Sequence, residues 1–427
     1  MKLLRKRTAA RSFLAPLGGR TTYVGLGVLI HRGPARALLS LALCAVALLM
    51  AGCASKPPAS SPDVELPFDE AAAAATDSLV AQTQKLPGFL AKLSSKRELV
   101  LDPMLDAASG QQTTATRLLE QRVTERMTSK YESFEILPFR ASNLSKTPYL
   151  LTGTMTRVAP DKPKSPLRLD LALTDLKTGN VVAQASSLAK DEGLDTTPTP
   201  YFRDSPILVK DKVIDGYIAT SAGKPGSPAD ATYVERIGAA AVINDATNLY
   251  NAEKYQDALG QYRSALATPA GEQVRVFNGI YLTNVKLGNM VEAEKAFGRV
   301  VAMGIAANQL GVKFLFNPGG TEFWSDSKVS GAYGMWLRQI AREGTAAKVC
   351  MTVVGHTSHT GSAAVNDALS LKRATFIKQK LATEAADLGS KTKADGKGFR
   401  ENIVGSATDD AVDALDRRVE FKIVPCG

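Results

Sequence analysis

The residues of this chain with the most chemistry to offer fall in one stretch, VVGHTSHTGSAAVNDALSLKRA, from Val353 to Ala374. His356 and His359 stand three apart, as two zinc ligands on a loop can, but a zinc site takes three or four ligands. The nearby soft ligand is Cys350, expected to be oxidised, and the third histidine, His31, is far away in the sequence. The pair therefore does not define a metal site, and no metal or cofactor is expected. Catalytic signatures are missing as well: there is no G-x-S-x-G, H-E-x-x-H or Walker loop. GKGFRENIVG, Gly396 to Gly405, carries glycines but leads into a strand pattern, so it is not a phosphate cradle. With so few general bases, the chain reads as a binding protein and not as an enzyme. What remains is a turn of small polar residues followed by an amphipathic run ending in Lys372 and Arg373, a candidate socket for something outside the protein.

The other end of the chain says where such a socket would work. Residues 1–52 hold eight basic residues and no acidic one, and close on the apolar run ALLSLALCAVALLMAG before Cys53. A basic stretch, a short apolar core and small residues make a secretory signal. Spanning a membrane takes about 20 apolar residues, more than this run supplies. LMAGC, Leu49 to Cys53, resembles the bacterial lipobox, with Met50 where leucine is usual. The resemblance implies acylation of Cys53, and Ala54 in place of an aspartate implies sorting to the outer membrane, facing the periplasm. The whole chain carries a net charge of +10, but with eight of its 52 basic residues in this leader the remainder is nearly balanced against 42 acidic ones. A nucleic-acid surface needs a basic face on the mature domain, and none is visible. Cys44 leaves with the leader and Cys53 takes the lipid, so Cys350 and Cys426 remain. An even pair in an oxidising compartment is either a disulfide or two buried thiols.

The expected organisation is multidomain α+β: signal 1–52, flexible Pro/Ser tether 53–67, mixed domain 68–219, linker 220–234, helical repeats 235–309 and a C-terminal domain 310–427. In the first domain RELVLDPML, FEILPF and YLLTGTMTRV read as strands. TTATRLLEQRVTERMTSKY is a helix with Leu118, Leu119, Val123 and Met127 on one face. LRLDLALTDLKTGNVVAQASSLA is a hairpin turned at Thr178-Gly179-Asn180. On the parts DP…TTATRLLEQRVTERM, YLLTGTM and LTDLKTGNVV it resembles the periplasmic domain of lipoprotein activators of penicillin-binding proteins and of curli-secretion lipoproteins; an unrelated α+β domain fits the same pattern.

In the helical section Tyr255, Ala258, Tyr262 and Ala265 share a helix face, Pro269 follows, and Ala293 and Phe297 repeat Ala258 and Tyr262. The spacing resembles the tetratricopeptide repeat, whose period is about 34 residues. It implies either recruitment of an envelope protein or a plain helical hairpin joining two domains.

The C-terminal section alternates strands (GVKFLF, AKVCMTVVGHT, ENIVGSA, DRRVEFKIVP) with helices (SKVSGAYGMWLRQIARE, inner face Val329, Tyr333, Trp336, Leu337 and Ile340; AAVNDALSLKRATFIKQKLAT). That alternation argues a mixed sheet with helices on one side. It resembles the OmpA-like peptidoglycan-binding domain. Gly355-His356-Thr357 matches its G-H-T loop and Gly361 the glycine after it. Asn366, Leu369, Ser370, Arg373 and Ala374 match N-x-x-L-S-x-x-R-A. Asp416-Arg417-Arg418-Val419-Glu420 matches N-R-R-V-E, with aspartate for asparagine. The resemblance implies that Arg373 holds the carboxylate of a diaminopimelate stem peptide. A guanidinium suits that task because it gives two parallel hydrogen bonds, and helix-start N–H groups can add donors. Thr357 and Asn366 would shape the socket. The family's aspartate after G-H-T, which would neutralise the ligand's ammonium, is Ser358 here. The loss of that charge is worth about tenfold in affinity, unless Asp367 or Asp416 replaces it. The family fold also implies that the strands of Cys350 and Cys426 run side by side, so that a disulfide pins the C-terminus. The expected function is a lipid-anchored tether binding peptidoglycan non-covalently. The alternative is a periplasmic scaffold for a wall-synthesis or secretion complex, with wall binding weakened or lost.

Overall fold

The structure is a computed structural model that describes residues 64–84, 96–159, 162, 164–405, 407 and 412–426. The leader, Cys53 and most of the tether lie outside them. Strand β1 (Glu65–Leu66) leads into helix α1 (Phe68–Thr83), followed by β2 (Arg97–Leu101), β3 (Leu105–Asp106) and α2 (Thr114–Lys130). Then come β4 (Phe134–Pro138), the short α3 (Ala141–Leu144), β5 (Tyr149–Arg157), β6 (Leu167–Asp175) and β7 (Asn180–Ala189). The strands form one sheet in the order β1-β7-β6-β5-β2-β4, with β3 pairing β5. Its middle is antiparallel, and β2 lies parallel to both β4 and β5.

Both faces of this sheet are covered, which is why β5 and β6 are buried almost throughout, their threonines and Asp170 included. On one face α1 and α2 pack against Leu99, Leu151, Leu169 and Leu171. Helix α1 was not anticipated from the sequence; Ala71, Ala72, Ala75, Leu79 and Val80 form its buried stripe, and the alanines let it lie close to β7. Helix α2 starts at a capping box in which the Thr113 and Thr116 side chains answer each other's backbone N–H, satisfying donors a helix start leaves open. On the other face Val100 and Leu150 meet α5 (Lys212–Ser221) and α6 (Ala231–Asn251), which follow the short α4 (Pro200–Asp204).

The expected linker at 220–234 is therefore a correction. It is the end of α5, a turn, and the first turn of α6, and the turn is bonded to the β6–β7 hairpin: Val181 N donates to Ser227 O at 2.9 Å and Ala229 N to Gly179 O at 2.8 Å. Its Gly, Ser and Pro content serves a tight reversal, not a tether. Beyond it run α7 (Tyr255–Leu266), α8 (Val274–Lys286) and α9 (Met290–Ala307), so that α6–α7 and α8–α9 are two antiparallel hairpins. Ala258, Tyr262, Ala265, Ala293 and Phe297 are all buried between them.

The second sheet has the order β10-β9-β11-β8, made by β8 (Leu310–Val312), β9 (Cys350–Gly355), β10 (Thr392–Gly396) and β11 (Val419–Val424). Helices α10 (Ser327–Ser330), α11 (Tyr333–Ala346), α12 (Ala363–Glu384) and α13 (Ala386–Ser390) complete it, with α12 packed on β9 and β10. Cys350, at the start of β9, is joined to Cys426 just past β11 by a disulfide that closes a separation of 76 residues. Four expectations are revised. The strand expected at 311–316 stops at Val312, the helix expected from Ser327 breaks into α10 and α11, and Val329 is 37% exposed instead of facing inward. The described residues of the expected ENIVGSA strand, 401–405, form a bent loop, and the fourth strand is β10, whose polar TKADG gives no strand signal.

Asp102 and Glu120 of the first domain are two carboxyls well shielded from water. Asp102, after β2, accepts the Tyr233 hydroxyl, and Glu120 of α2 accepts the Met104 N–H at 2.9 Å. Burial pushes each carboxyl up to about 7. In the unfolded chain these groups lose their protons near pH 4, but in the folded chain they keep them to about pH 7, so folding weakens as pH rises through that interval. Asp102→Asn should flatten part of this slope, matching wild type at pH 4 and exceeding it by ~2 kcal/mol at pH 8 in urea denaturation. Equal pH slopes for the two proteins would show that Asp102 ionises normally.

Candidate functional site

The Val353–Ala374 stretch runs from β9 through a turn into α12. Two glycines make its geometry possible. A Cβ on Gly355 would lie 2.2 Å from Ser370 O, and one on Gly396 2.4 Å from Leu371 N. The ends of β9 and β10 thus touch the backbone of α12, an approach only glycine permits. Ser370 uses this closeness, its hydroxyl accepting from Gly398 N at 2.9 Å.

Past Gly355 the chain is held on both sides. His356 N donates to Arg418 O at 3.0 Å and Thr357 N to Gly398 O at 2.9 Å. The Asn402 amide, oriented to satisfy its neighbours, donates to Thr357 O at 2.9 Å. Asn366 ties the turn to the helix by donating to Thr360 O at 2.7 Å and Ser362 O at 3.1 Å. Its amide nitrogen is committed to the shape of the turn, and Gly361 follows the same turn with φ of +87°. Ser362 caps α12, accepting from Val365 N.

The ionisable groups form a network behind the turn. Arg418, 5% exposed, donates to Glu420 Oε1 at 2.8 Å through Nε and also reaches Glu401 O at 3.0 Å and Leu415 O at 3.4 Å. His356 Nε2 lies 3.5 Å from Glu420 Oε2. Burial lowers the His356 pKa and keeps the ring neutral. Burial also works against the Glu420 charge, but His356 and Arg418 more than reverse it and hold this carboxyl well below the ordinary range. His356, Glu401 and Glu420 are close enough to suggest a cation site. However, Lys422 Nζ lies 3.3 Å from both carboxylates and Arg418 takes the other oxygen of Glu420, so their charge is already balanced. His359 does not join this cluster but lies edge-on to Phe399, centroids 4.2 Å apart.

Arg373, one helical turn beyond half-buried Leu369, is 6% exposed. Its guanidinium lies over the Phe316 ring at 4.8 Å and donates to Gly320 O at 3.1 Å and Asn317 O at 3.4 Å. The tip of the 316–323 turn thus closes on this side chain, a contact unforeseen from the sequence although the Asn-Pro-Gly-Gly run there is a strong turn signal. Thr357 Oγ1 is buried without a hydrogen-bond partner among the described residues. Ser358, 5% exposed, has its hydroxyl 3.4 Å from that of Thr360. The turn and the helix it enters thus carry one guanidinium and two hydroxyls, donor types suited to an oxyanion.

Neither carboxylate considered as a replacement for the missing aspartate is free for that role. Asp416 is fully buried and accepts from Ile403, Val404 and Gly405 N–H at 2.6, 3.0 and 2.8 Å. This demand for three N–H groups bends 401–405 into a loop where a strand was expected. Asp367 is engaged by both terminal nitrogens of Arg400. That pair is exposed, so it is worth little and is easily opened.

Removing one member of the buried Arg418–Glu420 pair should cost far more than removing both, because a lone buried charge is left. Glu420→Gln is expected to lose about 3–5 kcal/mol in urea denaturation, and Arg418→Met with Glu420→Leu clearly less. A double variant as unstable as the sum of its parts would show that the two side chains act independently.

No protein-family model matches the chain, and no curated protein does. Several solved structures resemble part of it. The peptidoglycan-associated lipoprotein of Burkholderia pseudomallei is 23% identical over 27% of this chain and 89% of its own, with a TM-score of 0.22. A putative MotB like protein from Desulfovibrio vulgaris is 18% identical over 33% and 95%, TM-score 0.24. The cell wall anchor of the T6SS from Pseudomonas aeruginosa is 21% identical over 30% and 95%, TM-score 0.23.

Proposed function

We propose that the C-terminal part, 310–427, binds peptidoglycan non-covalently through a diaminopimelate-bearing stem peptide, and that a lipid on Cys53 ties the chain to the outer membrane. The observation that carries the reading is convergence. The Gly355–Ser358 turn, the buried face of α12 with Asn366 and Arg373, and the Arg418–Glu420 segment are distant in sequence, yet the first two share one turn and the third is bonded to it through His356.

The roles divide by chemistry. Arg373 receives the ligand carboxylate, exchanging the neutral Asn317 and Gly320 carbonyls for a charged acceptor, a stronger hydrogen-bond partner. Thr357 and Ser358 supply hydroxyls from the turn that leads into the same helix. Asn366, Arg418 and Glu420 position the turn, and Leu369 helps seat the helix. Binding, not turnover, is the activity, and an anchor at each end of the molecule raises the effective concentration of the other.

A second reading, a periplasmic scaffold, is favoured by a different observation. The helical hairpins and the C-terminal sheet share one hydrophobic core running from Tyr201 to Phe421. That suits a rigid platform, and it is compatible with wall binding.

The test is co-sedimentation of the chain without its first 53 residues with purified peptidoglycan. Wild type should pellet; Arg373→Ala should weaken pelleting about tenfold or more, and Arg373→Lys should not restore it, because an ammonium lacks the two-pronged geometry. Thermal melts of each variant separate lost binding from lost folding. A folded wild type that stays in the supernatant would leave the scaffold reading alone.

A further inference from the structure

The two helical hairpins are not an empty surface. Arg275, Asn278 and Lys286 follow one another along α8, while Thr247, Tyr250 and Asn251 end α6, and the chain's own α4 packs against both helices. Tyr201, 1% exposed, donates its N–H to Asn251 Oδ1 at 2.8 Å and its hydroxyl to Arg275 O at 2.7 Å. Its ring packs edge-on to Tyr250 and stacks on Tyr262, with centroids 6.0 and 6.2 Å away. Three residues on, Asp204 accepts the Tyr250 hydroxyl at 2.8 Å and pairs with Lys286 at 2.9 Å. Ser205 Oγ reaches Asn278 Oδ1 at 3.2 Å. From the C-terminal domain, Lys313 Nζ donates to the carbonyls of Arg203 at 3.0 Å and Phe202 at 3.3 Å.

These are the elements by which a groove recognises a peptide: an aromatic anchor in a buried pocket, a side-chain amide that reads the main chain, and a cation opposite an acidic residue. We propose that the face shared by α6 and α8 is a peptide-binding site whose ligand is this chain's own Pro200–Asp204 segment, bound in cis. An aromatic–aromatic–basic–acidic peptide is the class it fits. A partner protein does not enter this face unless it displaces α4, so the hairpins hold the first domain to the C-terminal one and do not recruit through this groove. The proposal is independent of peptidoglycan binding.

The experiment uses the full mature chain and a fluorescein-labelled peptide of residues 198–206, PTPYFRDSP. In fluorescence anisotropy the peptide should bind a variant carrying Tyr201→Ser, Phe202→Ser and Asp204→Ser about tenfold or more tighter than it binds wild type. A folded variant that ignores the peptide, or equal binding by both proteins, would overturn the proposal. If the variant does not fold, hydrogen exchange on wild type decides. Protection of the Tyr201 and Ser205 amides equal to that of α8 supports the cis complex, and exchange at the rate of an exposed loop refutes it.

Discussion

A three-residue strand at the edge of a sheet presents outward N–H and C=O groups that must pair with a neighbour or with water. Strand β8 meets that constraint with the segment that leaves α4. Lys313 N donates to Pro206 O at 2.8 Å, Leu208 N to Gly311 O at 3.4 Å, and Ile207 bridges Val312 antiparallel. The edge of the second sheet is thus closed by residues that come directly from the first domain. This fixes the rest of the layout. Tyr201 and Phe202 must lie where the hairpins can cover them, and Ile207 and Val209 enter the same core as Val312 and Phe314.

How much of this could be read in advance depended on whether a residue's partner was local. The alternating β6–β7 hairpin and the Leu119, Val123, Met127 face of α2 declare themselves, since period and burial coincide there. So does the run from Gly355 through α12, where glycine, cap and periodic apolar residues follow in order. Strand β10 was invisible because its pairing in parallel with β9, not its composition, makes it a strand. The loop at 401–405 was misread for the converse reason. ENIVG has strand-like residues, but its N–H groups are taken by Asp416, a partner distant in sequence. The linker expected at 220–234 had the composition of a tether, yet its backbone is bonded to the hairpin turn of β6–β7.

The same distinction separates the residues of the socket. Sequence matching names Asn366, Arg373 and Arg418 alike, but the structure gives them different work. Asn366 spends its amide on the turn and Arg418 its donors on Glu420, Glu401 and Leu415, so both shape the site from within. Arg373 is held by main-chain carbonyls of a glycine-rich turn, acceptors that carry no charge and can be exchanged for one that does. Asp416 is committed to its loop and Asp367 pairs at the surface with Arg400, so the donors of the turn and of α12 suit an anion, and Ser358 brings a hydroxyl and no charge.

Rigidity then bears on what an anchored molecule can do. Separating the first domain from the hairpins would expose Tyr201 and Phe202, each worth about 1.5–3 kcal/mol when buried. It would also break the Asp204 contacts with Tyr250 and Lys286 and strip Lys313 of its two carbonyl partners. Lys313 is enclosed deeply enough that burial lowers its pKa to about 8, so its ammonium depends on those carbonyls and on nearby Asp204. These costs fall together, because the same five residues of α4 make the contacts. The joint therefore holds the first domain in one fixed orientation relative to the C-terminal domain, so that a ligand held by one part positions the other as well.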